Sequence, residues 1–352
     1  MEGVGTVQQK ISCIFKTAIL DEQSSKRSYQ QYKVVAVDEL KPQAIEDNIR
    51  TAKATEKLDG TCVYIAEFQG RPWLWARLDR KPNKNTDKKF KRFHNQKQQW
   101  IKDGKQGSEP KFQWNVTTDF KDVPEYWIPA SGVPIEDGLP QPDENGHIPG
   151  WVPIEQKFKQ YVWHLSSVDL DLGLGLILRE DVERSHDLVV EVKELADMLG
   201  HTAELIGTNV NANPYGIGNK KTPLHFLVIH GSIKVTNPPY FKLDLVKDWF
   251  ESTNSNNGRV EGVVWHCSSG VLYKVHRHHV NLSWPIKEPQ LSCRKVQICV
   301  DISKYEISED KKTVLTNLAK LQGQSCDSLI NIHELFIEEN KTVTYIIVVI
   351  FL

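Results

Sequence analysis

The stretch Thr55-Glu56-Lys57-Leu58-Asp59-Gly60 is the most informative part of the sequence. Asp-Gly is a strong turn pair, because glycine tolerates backbone angles that other residues avoid. Immediately after it, residues 61–67 place Val63 and Ile65 on one face of an extended segment, as in a half-buried strand. The pattern predicts a strand, a tight turn and a second strand, forming a hairpin with Lys57 at a strand edge beside the turn.

Lys57 offers an amine that could attack phosphorus. An amine is a nucleophile only when it is unprotonated, so this chemistry requires nearby cations or burial to lower the lysine pKa. A Lys-x-Asp-Gly tetrapeptide is weak by itself, since about one chain in ten of this length carries one by chance. The alternative at this stage is an ordinary surface lysine ahead of a hairpin turn.

The rest of the chain predicts a mixed architecture. Further strands are predicted at 73–77, 172–178, 188–192, 202–206, 224–229, 260–266 and 271–276, and helices at 194–199, 245–250 and 312–321. Seven prolines between residues 124 and 153 exclude a long helix there and predict a loop-rich insertion. The elements do not alternate regularly between strand and helix, so we predict an α+β fold with mainly antiparallel sheets.

Four more residues follow Lys57 in a characteristic order. Arg77 ends a predicted strand, Glu204 opens Glu-Leu-Ile-Gly, Glu261 opens Glu-Gly-Val-Val, and Lys274 lies in Leu-Tyr-Lys-Val-His. This order resembles the covalent nucleotidyltransferases, the superfamily of DNA ligases, RNA ligases and mRNA capping enzymes. Over roughly residues 1–285 the chain is most similar to the 5′-to-3′ RNA ligases of vertebrates, chiefly in segments 25–27, 75–84, 142–153, 204–216 and 274–279.

The resemblance implies a ligase adenylation domain, ATP-grasp-like in shape, with ATP as cosubstrate and Mg²⁺ or Mn²⁺ as cofactor. Lys57 would take AMP from ATP and release pyrophosphate. The other implied roles are Glu56 near the adenine edge, Asp59 and Gly60 shaping the turn beside the ribose, Arg77 contacting sugar or phosphate, Glu204 and Glu261 binding ribose or the divalent ion, and Lys274 neutralising the α-phosphate. Phosphoryl transfer needs such cations and oxygen ligands for alignment and charge compensation. Singly, each residue could equally be structural.

Two further residues complete the predicted nucleotide site. Phe226 is a candidate to stack on adenine, although a core phenylalanine is at least as plausible. His276 stands where many ligases carry a second lysine, so its charge would depend on pH. On a continuing strand His276 would face inward while His278 and His279 would be solvated, and we expect no metal cluster among the three.

A local basic segment is the candidate nucleic-acid surface. The formal net charge of −1 excludes a globally basic binder, but residues 77–93 contain eight Lys or Arg against two Asp. Trp73, Trp75, Phe90 and Phe93 lie in or beside the segment, and aromatic faces beside cations suit single strands and RNA ends. The alternative is a solvated basic helix.

Several sequence features predict the cellular compartment, the oligomeric state and the domain boundaries of the protein. The six cysteines show no metal or disulfide spacing, and the N-terminus lacks a secretory pattern, so we expect a cytoplasmic or nuclear monomer with no membrane span. Residues 286–352 are predicted as a poorly defined extension behind a ligase domain at 1–285. The chain after Lys274 lacks the basic motif of the oligonucleotide-binding barrel that DNA ligases and capping enzymes carry, which favours an RNA ligase. The apolar run 343–352 predicts a strand, a frayed tail or an aggregation-prone end.

These features favour one function over two others. We predict an ATP-dependent ligase that joins RNA 5′-phosphate and 3′-hydroxyl ends through a lysyl-AMP intermediate, in RNA repair or processing. A guanylyltransferase acting on RNA ends and a catalytically inactive RNA-binding adaptor are the alternatives.

Overall fold

The computed structural model describes residues 6–20, 22, 33–252, 256–307 and 313–336. The chain forms two compact units, one of residues 1–74 and 154–352 and the other of residues 75–153. The strands are β1 (Ser12–Cys13), β2 (Phe15–Leu20), β3 (Lys33–Leu40), β4 (Lys53–Lys57), β5 (Thr61–Phe68), β6 (Arg71–Arg77), β7 (Ile128–Pro129), β8 (Ile135–Glu136), β9 (Leu139–Pro140), β10 (Gly150–Pro153), β11 (Val168–Asp169), β12 (Leu174–Glu180), β13 (Leu188–Glu194), β14 (Thr202–Gly207), β15 (His225–Ile229), β16 (Gly262–His266), β17 (Leu272–His276), β18 (Val296–Cys299) and β19 (Ser325–Cys326). The α-helices are α1 (Pro42–Glu46), α2 (Lys84–Lys102), α3 (Val162–Leu165), α4 (Leu243–Glu251) and α5 (Val314–Ala319).

The smaller sheet of the first unit has the strand order β1-β17-β16-β4. Strand β16 pairs antiparallel with both β4 and β17, and Gly262 lies opposite Lys57 on one side and His276 on the other. Val263 and Val275 are fully buried, together with Val246 of α4. Burial of these apolar side chains fixes the register, because a slip by one residue would turn them to the opposite face.

The larger sheet of the first unit has the order β19-β18-β13-β12-β15-β14-β5-β6, with β11 paired to β12. Its central strands are rich in leucine, isoleucine and valine, and those facing one side form the main core. Most strand pairs are antiparallel, as predicted. The parallel pairs among the described residues are β1–β17, β12–β15 and β13–β18.

The hairpin predicted around Asp59-Gly60 is wrong. Strand β4 pairs with β16, whereas β5 pairs with β14, so the two strands flanking the turn belong to different sheets. Each finds another partner because the apolar side chains of β4 and β5 are buried in different places. The turn therefore passes the chain from the smaller sheet to the larger one, and it brings Lys57 close to residues of both.

The C-terminal segment is part of the first unit. Strand β18 pairs with β13, and Leu318, Leu321 and Leu329 are fully buried in the main core. The compact units thus do not follow the boundary predicted at residue 285, because residues beyond it complete the larger sheet and its core. The predicted helix at 312–321 is observed as α5 at Val314–Ala319, and residue 312 lies outside the described residues, as do segment 25–27 and run 343–352.

The second unit is built on helix α2. The Asn83 side chain accepts hydrogen bonds from the backbone N–H groups of Asn85 and Thr86, which caps the helix. Phe90 packs against Phe112 and Trp114. The proline-rich insertion contains only the short strands β7 to β10, as predicted, and β10 pairs with β7 and with Trp75–Arg77 of β6.

Other element predictions differ only in detail. The helix predicted at 194–199 is a single 3₁₀ turn, Leu195–Met198, whereas the strands predicted across 172–276 are all observed within a few residues. No helix in the described part of the chain has the length and apolar character that crossing a membrane requires.

Candidate functional site

Lys57 is the last residue of β4, and its amine contacts a buried carboxylate. Lys57 Nζ lies 2.5 Å from Oε2 of Glu261, the residue just before β16. Glu261 is only 2% exposed. The pairing of Lys57 with Gly262 explains the contact, because it places the start of β16 beside the end of β4.

The Glu261 contact determines the protonation of Lys57. Burial alone would lower the pKa of the amine, but the Glu261 carboxylate outweighs burial, and the charges of Glu204 and Asp59 act in the same direction. The pKa of Lys57 is therefore raised, and the amine is a protonated partner in an ion pair at neutral pH. As a nucleophile it would first have to lose that proton.

The turn after Lys57 is held by four side chains from later in the sequence. The Asp59 N–H donates to Tyr215 Oη at 2.8 Å, and the Gly60 N–H donates to Glu204 Oε1 at 2.9 Å. Asn211 Nδ2 donates to Asp59 Oδ1 at 2.9 Å and also to the Gly60 carbonyl. The Trp284 indole N–H donates to Asp59 Oδ2 at 2.8 Å. Both oxygens of Asp59 thus have fixed donors.

Gly60 is required by a close backbone approach. A Cβ at this position would lie 2.2 Å from the Leu205 carbonyl oxygen and 2.9 Å from Glu204 Cγ. Both partners belong to β14, so any larger residue would push the turn away from that strand. Glycine here keeps Asp59 and Glu204 at a fixed separation.

Glu204 links the turn to a histidine. Its second oxygen, Oε2, lies 3.0 Å from His230 Nε2, while Oε1 accepts the Gly60 N–H. Cys62 lies opposite Glu204 in the pairing of β5 with β14. The oxygen chemistry of Glu204 and Glu261 suits a hard divalent cation, and both charges act on Lys57. Their assignment as metal ligands stays a prediction.

Glu56 is a buried carboxyl without a hydrogen-bond partner for Oε1 among the described residues. Burial raises its pKa to about 8; Arg294 acts against this rise, and Glu180 and Glu261 add to it. The side chain is therefore protonated at neutral pH, with one O–H donor and acceptor capacity. Its predicted place near the adenine edge stays a prediction.

The histidines after β17 differ from the prediction. The strand ends at His276 and a 3₁₀ turn, Arg277–Val280, follows, so side chains no longer alternate. His279 is buried and His278 half-buried, and the prediction that both are solvated is wrong. The His276 and His279 rings stack with centroids 3.6 Å apart.

His276 and His279 are neutral at physiological pH. Burial lowers the pKa of His276, and His279 and Lys274 lower it further. Burial likewise lowers the pKa of His279 to about 3, with Lys274 as the next cause. Lys274, in β17, is thus the lasting positive charge beside them, and His276 does not replace a second lysine.

Phe226 and Arg77 lie in surroundings that sequence alone could not define. Phe226 is opposite Ile206 in the β14–β15 pairing and is fully buried in the main core. Arg77 belongs to the second unit, where its Nε lies 2.6 Å from Asp79 Oδ1 and its guanidinium stacks over Trp151. Their nucleotide roles stay predictions.

The basic segment 77–93 contains the first half of helix α2. Lys84, Lys88 and Arg92 are exposed and spaced four residues apart, so they share one helix face. The aromatic part of the prediction is wrong for Trp75 and Phe90, which are buried. The segment thus offers a charged face, and these two rings stabilise its unit.

Sequence reasoning missed Tyr215, Trp284 and His230 as site residues. Each lies more than 150 residues after the turn, and none belongs to a motif with a recognised spacing. For Tyr215 two signals were available, the resemblance of segment 204–216 and the run of asparagines and glycines at 209–218, which indicates a polar loop.

Comparison with known proteins gives concordant relatives. A family model described as RNA ligase 1 matches residues 1–335. RNA ligase 1 of Rattus norvegicus is 44% identical over 329 residues, covering 94% of this chain and 98% of the relative. RNA ligase 1 of Danio rerio is 45% identical over 329 residues with the same coverage. The similarity predicted over residues 1–285 therefore extends to residue 335.

Proposed function

The chain belongs to the RNA ligase 1 family and is an RNA ligase, and we propose that it joins RNA ends by carrying AMP on Lys57. The first unit is then a nucleotidyltransferase-type adenylation domain without an oligonucleotide-binding barrel. The observation that supports Lys57 most directly is its contact with the buried Glu261, beside a turn clamped by Glu204.

In the first step the Lys57 amine attacks the α-phosphorus of ATP. A bond forms between Nζ and phosphorus, the bond from that phosphorus to the bridging oxygen breaks, and pyrophosphate leaves. The amine must lose a proton, and the Glu261 carboxylate is the acceptor already in contact with it. The transfer leaves a neutral amine and a protonated Glu261, which must release that proton to solvent before its carboxylate can hold a cation.

The surrounding residues bind and orient the nucleotide. Protonated Glu56 faces the adenine edge, Asp59 reaches the ribose, and Lys274 offsets charge that develops at the α-phosphate. The roles of Phe226 in adenine stacking and of Arg77 in sugar or phosphate contact rest on the family resemblance alone, because Phe226 is fully buried in the main core. His276 lines the site as a neutral imidazole. Mg²⁺ or Mn²⁺, held by Glu204 and Glu261, would stabilise the phosphate charge when bound.

Two further transfers complete the reaction. An oxygen of the RNA 5′-phosphate attacks the lysyl-bound phosphorus, and Lys57 leaves. The 3′-hydroxyl of the second end then attacks the activated 5′-phosphate, and AMP leaves as the phosphodiester forms. The exposed face of α2 with Lys84, Lys88 and Arg92 supplies charge for the RNA backbone.

Covalent labelling tests the proposal. Incubation with ATP labelled at the α-phosphate and Mg²⁺ or Mn²⁺ should leave one label per chain, stable to denaturation. The label should disappear in Lys57→Arg, which keeps a cation beside Glu261 but cannot form the adenylate. Lys53→Ala, at the exposed start of the same strand, is the matched control and should label normally. A label that persists in Lys57→Arg would exclude Lys57 as the carrier.

The same assay separates the alternatives. Preferential labelling by GTP would favour RNA guanylylation, and RNA binding without any covalent nucleotide would favour an inactive adaptor. We further propose a monomer acting in RNA repair or processing in the cytosol or nucleus. Light scattering on the purified chain checks that it is a monomer, and localisation of the tagged protein checks the compartment.

A further inference from the structure

Three side chains of types that commonly ligate metals lie near one another at the paired strands β5, β14 and β15. Cys62 in β5 lies directly opposite Glu204 in β14, and residues opposite each other in an antiparallel pair share a face. His230 follows the end of β15, and its backbone N–H donates to the Thr202 carbonyl, which extends the β14–β15 pairing by one step. Strand pairing therefore brings a thiol, a carboxylate and an imidazole together from three parts of the sequence.

The distances are close to those of a metal centre. One ligand atom from each of Cys62, Glu204 and His230 lies within 4.8 Å of the other two. His230 Nε2 and Glu204 Oε2 are 3.0 Å apart, near the ~3.3 Å edge of a tetrahedron with bonds of ~2.0 Å. The sulfur would complete the set by moving inward to a zinc–sulfur bond of ~2.3 Å.

The histidine is oriented as metal-bound histidines usually are. Its Nδ1 lies 2.9 Å from Thr202 Oγ1, so its Nε2 is directed at Glu204. Thr202 is fully buried, and its hydroxyl also accepts the Val7 N–H at 2.8 Å. A fixed partner on the second ring nitrogen sets the tautomer and orientation of a ligating imidazole.

We propose that Cys62 Sγ, Glu204 Oε2 and His230 Nε2 form a binding site for Zn²⁺. A thiolate and an imidazole favour zinc over Mg²⁺ or Mn²⁺, which prefer oxygen ligands. On binding, the Cys62 thiol releases its proton to solvent. The His230 proton that faces Glu204 on Nε2 is exchanged for one on Nδ1, which then donates to Thr202 Oγ1. The fourth ligand is a water molecule.

The site gives zinc a defined effect on the ligase, and this part rests on the proposed function. Glu204 Oε1 holds the Gly60 N–H, so a zinc ion on Oε2 ties the same carboxylate to a second centre. Glu204 is then unable to serve the nucleotide or its Mg²⁺. Zinc bound here therefore inhibits the adenylylation of Lys57.

Cobalt binding tests the site without any ligase assay. Co²⁺ titrated into the reduced, metal-free full-length chain should produce near-ultraviolet sulfur-to-cobalt absorption that saturates at one equivalent and disappears on addition of Zn²⁺. Cys62→Ser should abolish this absorption, and His230→Gln should weaken binding by about tenfold or more. Cys293→Ser, which removes an exposed thiol elsewhere, should bind like the unaltered protein. Absorption unchanged in Cys62→Ser, or absent from the unaltered protein, would overturn the proposal.

The functional arm measures Lys57 labelling with Mg²⁺ while Zn²⁺ is increased, each variant being compared with its own zinc-free rate. Zinc should inhibit the unaltered chain and Cys293→Ser alike, and Cys62→Ser should need at least about tenfold more zinc. Equal inhibition of all three would contradict the effect assigned to this site. Failure of labelling without zinc would instead count against the proposed function, and the cobalt result would stand. Melting curves confirm that each variant is folded.

Discussion

Two adjacent residues of β4 have opposite electrostatic environments. Lys57 is held charged by Glu261, whereas burial holds Glu56 neutral. Glu56 is buried, and its Oε1 has no hydrogen-bond partner in the part of the chain that the structure describes. Such burial costs free energy, and the cost is smaller when the carboxyl keeps its proton. The cost is understandable if the nucleotide later supplies the missing partner.

Glu56 therefore predicts a pH-dependent stability. Its folded pKa is about 8 against an ordinary 4.5, so the folded chain keeps a proton that the unfolded chain loses between those values. The contribution of this proton to the free energy of unfolding is complete below pH 4.5. It decreases as pH rises between 4.5 and 8, by up to about 1.4 kcal/mol per pH unit, and is lost once pH has passed 8. The glutamine of Glu56→Gln cannot ionise. The melting temperature of this variant should therefore increase relative to that of the unaltered protein as pH rises from 5 to 8.

The comparison needs nucleotide-free protein and a control carboxyl. Glu46→Gln, at an exposed position in α1, should keep a constant difference from the unaltered chain over the same range. A constant difference for Glu56→Gln as well would mean that Glu56 is ionised in the folded state.

At the scale of single residues, the sequence predicted the site residues that are neighbours in the chain. It did not predict the distant side chains that hold them in place. The sequence pattern includes Lys57, Asp59 and Gly60, which are close in the chain and could therefore be recognised together. Tyr215, Asn211 and Trp284 reach Asp59 and Gly60 only after the loop at 209–218 and the chain beyond β17 have folded back. The depressed histidine pKa values were equally hidden, because they depend on burial.

At the scale of elements, the Asp59-Gly60 turn is a connection between two sheets that distant donors hold in place. Trp284→Phe keeps an aromatic ring, although a smaller one, and removes the N–H that donates to Asp59 Oδ2. A hydrogen bond to a charged group contributes about 1.5–3 kcal/mol, and small displacements in an active site can cost far more in rate. We expect Lys57 labelling to slow by about tenfold while the fold persists.

Trp249→Phe is the matched control for this variant. Trp249 is also half-buried, and its indole N–H donates at 3.0 Å to the Asn237 carbonyl instead of the turn. It should lose a similar amount of stability and label at the normal rate. Equal slowing of both variants would show that the turn does not need the Trp284 hydrogen bond.

The hairpin error belongs to this scale too. The strand and turn patterns at 53–68 were correct as local structure, but they contain no information about which strand each one pairs with. Pairing is set by long-range burial, here by β16 and β14. The same holds for α2. Its charged residues could be recognised from the sequence, but the burial of Phe90 could not, because burial depends on contacts with distant residues.

Helix α2 gives a prediction about RNA. Replacing Lys84, Lys88 and Arg92 together by glutamate reverses three charges on one exposed face. Sealing of RNA ends should require a higher RNA concentration. The slope of the logarithm of RNA affinity against the logarithm of salt concentration should decrease in magnitude by about 2, because each phosphate contact contributes about 0.7. Labelling of Lys57 by ATP alone should persist, because that step involves no RNA.

Three exposed lysines of the first unit serve as its control. Lys242, Lys247 and Lys320 are exposed in the structure, and their joint replacement by glutamate changes the net charge equally. If this control weakens sealing as much as the α2 variant, net charge alone explains the effect and α2 is not the RNA surface.

The whole molecule depends on its C-terminal segment. The sequence suggested a ligase domain ending at residue 285, because the recognisable motifs end there. Whether an apolar residue belongs to the core depends on the folded structure. No sequence motif in 286–336 indicates which residues its apolar side chains contact. Strand β18 lies against β13, and Leu291, Leu318, Leu321 and Leu329 are fully buried with the central strands of the larger sheet.

A chain cut after residue 285 should therefore fail to fold. Burial of one such leucine contributes about 2–5 kcal/mol, and the cut removes four of them together with strand β18, against a total stability of about 5–15 kcal/mol for a typical domain. A chain cut after residue 336 keeps every described core residue and should melt cooperatively, as the full chain does. Circular dichroism melting and Lys57 labelling of both fragments check this, and a cooperative, labelled 1–285 fragment would restore the boundary that the motifs suggested. Because the removed leucines pack on the sheet that carries Glu204, loss of the segment should abolish labelling even in preparations that remain soluble.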